Sequence, residues 1–252
     1  MNNHELSRLI FLDIETVSAC SSWHELPERI RILWARKARY LRKNPDDSDE
    51  ALYKSAAAIH AEFGKVIVVA AGRLFPRGST DALLDVSVFA AHDERRLLTD
   101  VACWLNALPS DVRLCAHNGK EFDFPYLARR MTVHGIALPA VLSLSGKKPW
   151  EVPHLDTLEL WKFGDYKHYT SLEMLAALFG LESTKQEMDG SKVGSVYYMD
   201  QDLGRIARYC SADVGTLARV FLRLKAIDRE LAVHTTMHAE TKLWLEQYSL
   251  NE

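Results

Sequence analysis

The chain has 252 residues, 48% of them hydrophobic and 26% charged, which suits one large globular domain or two small ones with a sizeable core and argues against disorder. Its longest unbroken apolar run, Val66 to Ala71, is far below the roughly 18 residues of a membrane helix, and Met1-Asn2-Asn3-His4-Glu5 lacks the basic-then-apolar plan of a signal peptide. A net charge of −3 gives no global pull toward polyanions, so nucleic-acid binding would need a local basic patch or metals that neutralise an acidic site.

Taken in chain order, Leu9 to Ile14 is a short run of branched and aromatic residues that predicts a buried strand, with Asp13 and Glu15 on one face at its end. Trp23 to Phe63 has no strand signal and predicts a helical insertion, in which Ile30, Leu33, Trp34 and Leu41 form an apolar stripe. Arg29, Arg31, Arg36, Arg39, Arg42 and Lys43 fall mostly on the opposite side. Asn44-Pro45-Asp46-Asp47-Ser48 ends that helix and caps the next, around Asp49 to Glu62.

Lys65 to Phe75 and Leu83 to Phe89 read as strands joined at Pro76-Arg77-Gly78-Ser79, completing a meander with the first. A helix from Asp93 to Leu108, a strand from Arg113 to Ala116 and a helix from Phe122 to His134 follow, placing Asp123 in a first helical turn. Further helices are expected at Leu155 to Phe163, Ser171 to Phe179 and Asp202 to Leu224, and a closing helix at Glu230 to Tyr248. Strands followed by alternating helix and strand predict one α/β domain over residues 1–252, with a mixed sheet flanked by helices. Cys20, Cys103, Cys115 and Cys210 show no Cys-x-x-Cys spacing, so neither a zinc site nor a disulfide framework is expected; the thiols should be reduced and mostly buried, in a cytoplasmic protein.

Three distant segments together supply four carboxylates and a tyrosine: Phe11-Leu12-Asp13-Ile14-Glu15-Thr16, His117-Asn118-Gly119 through Phe122-Asp123, and Tyr209-Cys210-Ser211-Ala212-Asp213. Taken singly each has an ordinary reading: a surface pair at a strand end, a turn with a helix cap, and an exposed helical pair four residues apart. Taken together they form the ligand set of two hard divalent ions, which can activate water and relieve charge on a leaving oxygen. The cost of burying Asp13 and Glu15 beside an apolar run without a cation favours that joint reading.

In order and spacing the three segments resemble the motifs of the DEDD superfamily of 3′-to-5′ exonucleases, and Tyr-x-x-x-Asp matches its tyrosine branch. The histidine branch would have His five residues before the last Asp, where Arg208 stands. The chain most resembles bacterial predicted exonucleases related to the exonuclease domain of family-B DNA polymerases. Glu62-Phe63-Gly64-Lys65, Leu160-Trp161-Lys162-Phe163-Gly164-Asp165, Tyr169-Thr170-Ser171-Leu172 and Asp189-Gly190-Ser191 extend the likeness over nearly the whole chain.

The resemblance implies an RNase H-like fold and two divalent cations, Mg²⁺ or Mn²⁺, held by Asp13, Glu15, Asp123 and Asp213, with Asp13 bridging. It implies Tyr209 as partner of the attacking water. Thr16, Asn118 and Phe122 would contact the terminal nucleotide, with Lys167 and His168 as phosphate contacts and His117 a weaker candidate. The implied reaction removes nucleoside 5′-monophosphates from the 3′ end of a single strand, DNA ahead of RNA, with replication or repair proteins as separate partners and no membrane. Exoribonuclease or oligoribonuclease activity and a non-catalytic nucleic-acid-binding module are the alternatives.

Overall fold

A computed structural model describes residues 1–165, 169–181 and 188–238. A short helix α1 (Asn3–Ser7) leads into strand β1 (Leu9–Ser18), and helices α2 (Glu28–Leu41) and α3 (Asp49–Ala56) follow. Strands β2 (Gly64–Arg77) and β3 (Asp81–Ala90) form a long hairpin that precedes helix α4 (Glu94–Asn106), strand β4 (Arg113–Ala116) and helix α5 (Asp123–Val133). The chain continues through β5 (Leu155–Asp156), α6 (Thr157–Lys162), α7 (Leu172–Leu178), the single turn α8 (Val193–Ser195), the long α9 (Leu203–Leu224) and β6 (Glu230–Met237).

The six strands lie in the order β5-β4-β1-β2-β3-β6. β1, β2 and β3 are antiparallel neighbours, whereas β4 runs parallel to β1, β5 to β4 and β6 to β3. This is the expected mixed α/β sheet flanked by helices. Its strands are apolar because both faces are covered. Leu9 and Phe11 face the core built on α9, and Ile10, Leu12 and Ile14 face the one built on α4 and α5. Gly72 on β2 lets α9 lie close, since a Cβ there would sit 2.9 Å from the Val214 Cγ1.

The helical insertion forms as expected, with a rotated stripe. Trp34 and Ala38 are fully buried, while Leu33 is 41% exposed. Trp34 packs edge-on against Tyr53 and Phe63 and donates its indole N–H to the Asp49 carbonyl at 2.8 Å. The basic side of α2 is partly occupied, Arg42 pairing with Asp49 at 2.5 Å and Arg31 lying over the Trp23 ring.

Three expected elements differ. The helix expected to run to about Glu62 ends at Ala56 and gives way to a short 3-10 turn over Ala57–Ile59. The helix expected from Leu155 begins only at Thr157, because Leu155 and Asp156 pair with Cys115 and Ala116 as an edge strand. The expected closing helix is instead a strand over Glu230–Met237, and its continuation lies outside the described residues. Val233, Thr235 and Thr236 are β-branched, and alternate residues Leu231 and Met237 pack on the α9 core while the backbone pairs with the otherwise open edge of β3. Among the described residues no helix is long and apolar enough to cross a membrane. All four cysteines are free; Cys115 and Cys210 are buried, Cys20 is half-buried and Cys103 exposed.

Candidate active site

Alternation along β1 sends Asp13 and Glu15 to the α9 side of the sheet. The register with β2 slips between Glu15 and Thr16, a bulge that skips Ile67 and ends the regular ladder beside the two carboxylates. Parallel β4 ends nearby and turns through His117-Asn118-Gly119 into α5, whose first residue is Asp123. α9 supplies Tyr209 and Asp213 from one face.

Ligand-capable atoms of Asp13, Glu15 and Cys210 lie within 4.8 Å of one another. Asp123 and Asp213 stand outside this tightest group, yet both act on Asp13 through their charge. Burial pushes the Asp13 carboxyl well above the usual carboxylate range, and the charges of Glu15, Asp123 and Asp213 push it further. Asp123 is pushed up to about 7, again by burial first, with the Asp156 charge adding and the N–H groups of Asp123 itself and Ile14 opposing. Glu15 and Asp123 are only 8% and 4% exposed. A cluster of acids this buried favours either protons or a cation.

The Tyr209 hydroxyl donates to the Asp213 carboxylate. Burial, then the charges of Asp213, Glu15 and Asp13, drive the phenol far above its ordinary range, so it stays protonated at neutral pH. The Cys210 thiol is likewise pushed up by burial and by Asp13, and its Sγ lies 3.2 Å from Asp13 Oδ2 as a donor. It therefore restrains Asp13 and is a poor ligand for a hard ion.

The expected nucleotide contacts divide. Asn118 has a left-handed φ of 63° that asparagine tolerates, and half-buried Phe122 packs in a tilted contact on Tyr126, ring centres 5.3 Å apart, so both flank the cluster at the start of α5. Thr16 instead donates its hydroxyl to the Ala58 carbonyl at 2.9 Å, tying β1 to the end of the insertion. His117 is a strut: Nδ1 meets the Thr157 hydroxyl at 2.9 Å and Nε2 the Thr170 carbonyl at 2.8 Å, which leaves neither ring nitrogen for phosphate. Lys167 and His168 lie outside the described residues.

One contributor escaped the sequence reading. Asp156 is 3% exposed and accepts from the N–H groups of Asn118 at 2.8 Å, Lys120 at 3.1 Å and Leu158 at 2.9 Å, so it both caps α6 and clamps the turn before Asp123. Its signal was Asp-Thr at a helix start, hidden by beginning that helix too early. Tyr169, from the Tyr169-Thr170-Ser171-Leu172 segment, is 68% exposed with its ring 6.3 Å from that of His117, and after burial the charges of Asp123 and Asp156 push its phenol up, which places it at the mouth of the cluster. Replacing Asp156 by Asn puts an amide where Lys120 N–H needs an acceptor. We expect a loss of about 1–3 kcal/mol in urea unfolding; an unchanged midpoint would show that the clamp is dispensable.

A family model described as "Predicted 3'-5' exonuclease related to the exonuclease domain of PolB" matches residues 59–249. The chain belongs to that family. The match contains Asp123, Tyr209 and Asp213, and Asp13 and Glu15 precede it. The chain is also similar to the family B DNA polymerase from the hyperthermophilic archaeon Pyrobaculum calidifontis, at 16% identity and a TM-score of 0.49 over 85% of this chain and 24% of the polymerase. It therefore spans about a quarter of that polymerase's length. No curated protein matches the chain.

Proposed function

We propose that this member of the exonuclease family hydrolyses the terminal phosphodiester at the 3′ end of single-stranded nucleic acid, DNA ahead of RNA, releasing nucleoside 5′-monophosphates. The observation that carries the reading is the convergence of Asp13, Glu15, Asp123 and Asp213, whose mutual repulsion and burial call for positive charge. The donor set is all carboxylate oxygen, which fits Mg²⁺ or Mn²⁺. These four residues would hold two such ions, which when bound supply water activation and charge relief on the leaving oxygen.

The remaining roles belong to this chain's own groups. Tyr209, protonated and already hydrogen-bonded to Asp213, orients the attacking water and takes no proton from it. Cys210 holds one Asp13 oxygen in place from behind. Asn118 bonds the terminal nucleotide and Phe122 packs on its sugar or base, while Tyr169 offers an exposed ring on which a base can stack.

Tyr209→Phe keeps the packing and removes the hydroxyl, so kcat should fall about 10²-fold with the Mg²⁺ dependence unchanged. Equal kcat would mean that the water is oriented by another group. The reading as a whole is tested with a 5′-labelled single-stranded DNA beside an RNA of the same sequence, in Mg²⁺, in Mn²⁺ and in EDTA. A metal-dependent ladder shortening from the 3′ end supports the proposal, and the faster strand identifies the preferred sugar. No shortening by the folded protein under any metal would replace it with the binding-module reading.

A further inference from the structure

α9 carries a second feature beside the carboxylate cluster. About a third of a turn round the helix from Tyr209 and Asp213, it forms one wall of a cavity of about 680 Å³, the other walls coming from β6 and the end of α7. That volume falls in the range of sites that hold nucleotide-sized ligands.

The charge of the lining is one-sided. Arg208 and Arg219 contribute guanidinium groups and Ser211, Thr216 and Thr235 contribute hydroxyls, while no carboxylate is present among the described lining residues. Arg208 has no ion pair among the described residues. Arg219 reaches the Leu231 carbonyl at 3.4 Å, a long bond, and among the described residues it has no ion pair. Ser211 and Thr235 share a hydrogen bond at 3.2 Å across the gap, so α9 and β6 are held at a fixed separation. Gly215 keeps the floor open: a Cβ there would lie 3.3 Å from the Arg219 guanidinium. Two guanidinium groups without a carboxylate partner among the described residues, and the one hydroxyl proton that the Ser211–Thr235 pair leaves free, face an open volume, while Thr216 donates its own proton to the Ala212 carbonyl; this is the chemistry of a phosphate site, and Arg favours phosphate through its forked donors. They stand out in a chain whose net charge is −3.

We infer that the cavity between α9 and β6 binds a nucleotide phosphate, either one of the substrate strand on the 5′ side of its terminal nucleotide or that of a free nucleoside monophosphate. The strand source rests on the exonuclease reading above; the free-nucleotide source does not. Binding is therefore measured in EDTA, where no hydrolysis is needed, using a labelled 15-nucleotide single-stranded DNA and dTMP as separate probes. The proteins are the wild type, the double variant Arg208→Gln/Arg219→Gln, and Thr235→Glu, which puts a carboxylate into the cavity from an exposed strand. Circular dichroism checks that each is folded.

Both variants should bind at least one probe about tenfold more weakly. Loss confined to the 15-mer, with a salt slope reduced by about 1.4 for two contacts, identifies the strand as the source. Loss confined to dTMP identifies a free-nucleotide pocket. Wild-type affinity of both folded variants for both probes overturns the inference. Missing turnover in Mg²⁺ would instead sink the exonuclease reading and leave this result standing.

Discussion

Asp13→Asn is expected to lower kcat at saturating Mg²⁺ by about 10³-fold or more while leaving a folded protein. Asp13 sits at the centre of the cluster: its carboxyl feels Glu15, Asp123 and Asp213 at once and belongs to the tightest group of ligand-capable atoms. If cations there supply several kcal/mol of transition-state stabilisation, loss of a central anionic ligand forfeits about 4 kcal/mol, which is about a thousandfold in rate. The same substitution removes one of several charges that repel one another in the metal-free protein. Thermal unfolding in EDTA should therefore occur at a higher temperature than for wild type, and the rise produced by adding Mg²⁺ should shrink. The Asn amide can still accept from Cys210, so packing is kept. Turnover within tenfold of wild type would remove Asp13 from the mechanism, and an unchanged response to Mg²⁺ would remove it from the metal site.

The largest effect on stability is expected at Glu94, the first residue of α4, which is 6% exposed. Its carboxylate accepts from the Val66 N–H at 2.8 Å, from the Arg130 guanidinium at 2.9 and 2.5 Å, and pairs with His134 at 2.7 Å. Arg130 also bonds the Ala61 carbonyl at 2.9 Å, so one ion network joins β2, α4, α5 and the end of the insertion. Glu94→Ala leaves a buried guanidinium and a strand N–H without their acceptor, and breaking a buried pair from one side costs about 3–5 kcal/mol. Against a total stability of about 5–15 kcal/mol, urea unfolding should show it plainly. A loss below about 1 kcal/mol would mean that water replaces the carboxylate.

A pH dependence follows from the same group. Burial alone would raise the Glu94 carboxyl, but the hydrogen bonds from Arg130, His134 and Val66 outweigh it and hold the group below its ordinary 4.5. A carboxyl depressed in the folded state contributes its stability above the unfolded value and loses it as pH falls through the folded one. Wild-type unfolding free energy should therefore decline below about pH 4.5, and in Glu94→Gln that part of the decline should be absent.

The sequence was informative wherever the constraint is local. A strand buried on both faces must be apolar, so Leu9 to Ile14 announced β1, and strand alternation placed Asp13 and Glu15 together. The four-residue spacing of Tyr209 and Asp213 on a long amphipathic helix put both on one face of α9. Helix caps marked the starts of α3, α4 and α7: Ser48, Asp93 and Ser171 each accept from a backbone N–H near the helix start. By itself, then, the chain determined the α/β class, the order of its elements from β1 to α5, and the segments that carry Asp13, Glu15, Asp123 and Asp213.

Elsewhere the deciding partner is distant in the chain. Leu155 and Asp156 form a strand only because β4 offers an edge 40 residues earlier, and Glu230–Met237 form one because β3 offers another 149 residues earlier. Strand pairing of this kind leaves no local spacing to read. Asp156 is a cap in sequence and a clamp in space, since the N–H groups of Asn118 and Lys120 come to it from across the sheet edge. His117 and Thr16 carried the right residue types for substrate contact, yet Thr157, Thr170 and Ala58 engage them. The tertiary structure alone decided which polar groups are already spoken for and which remain open, because hydrogen-bond satisfaction is a property of neighbours in space and is not written into the order of the residues.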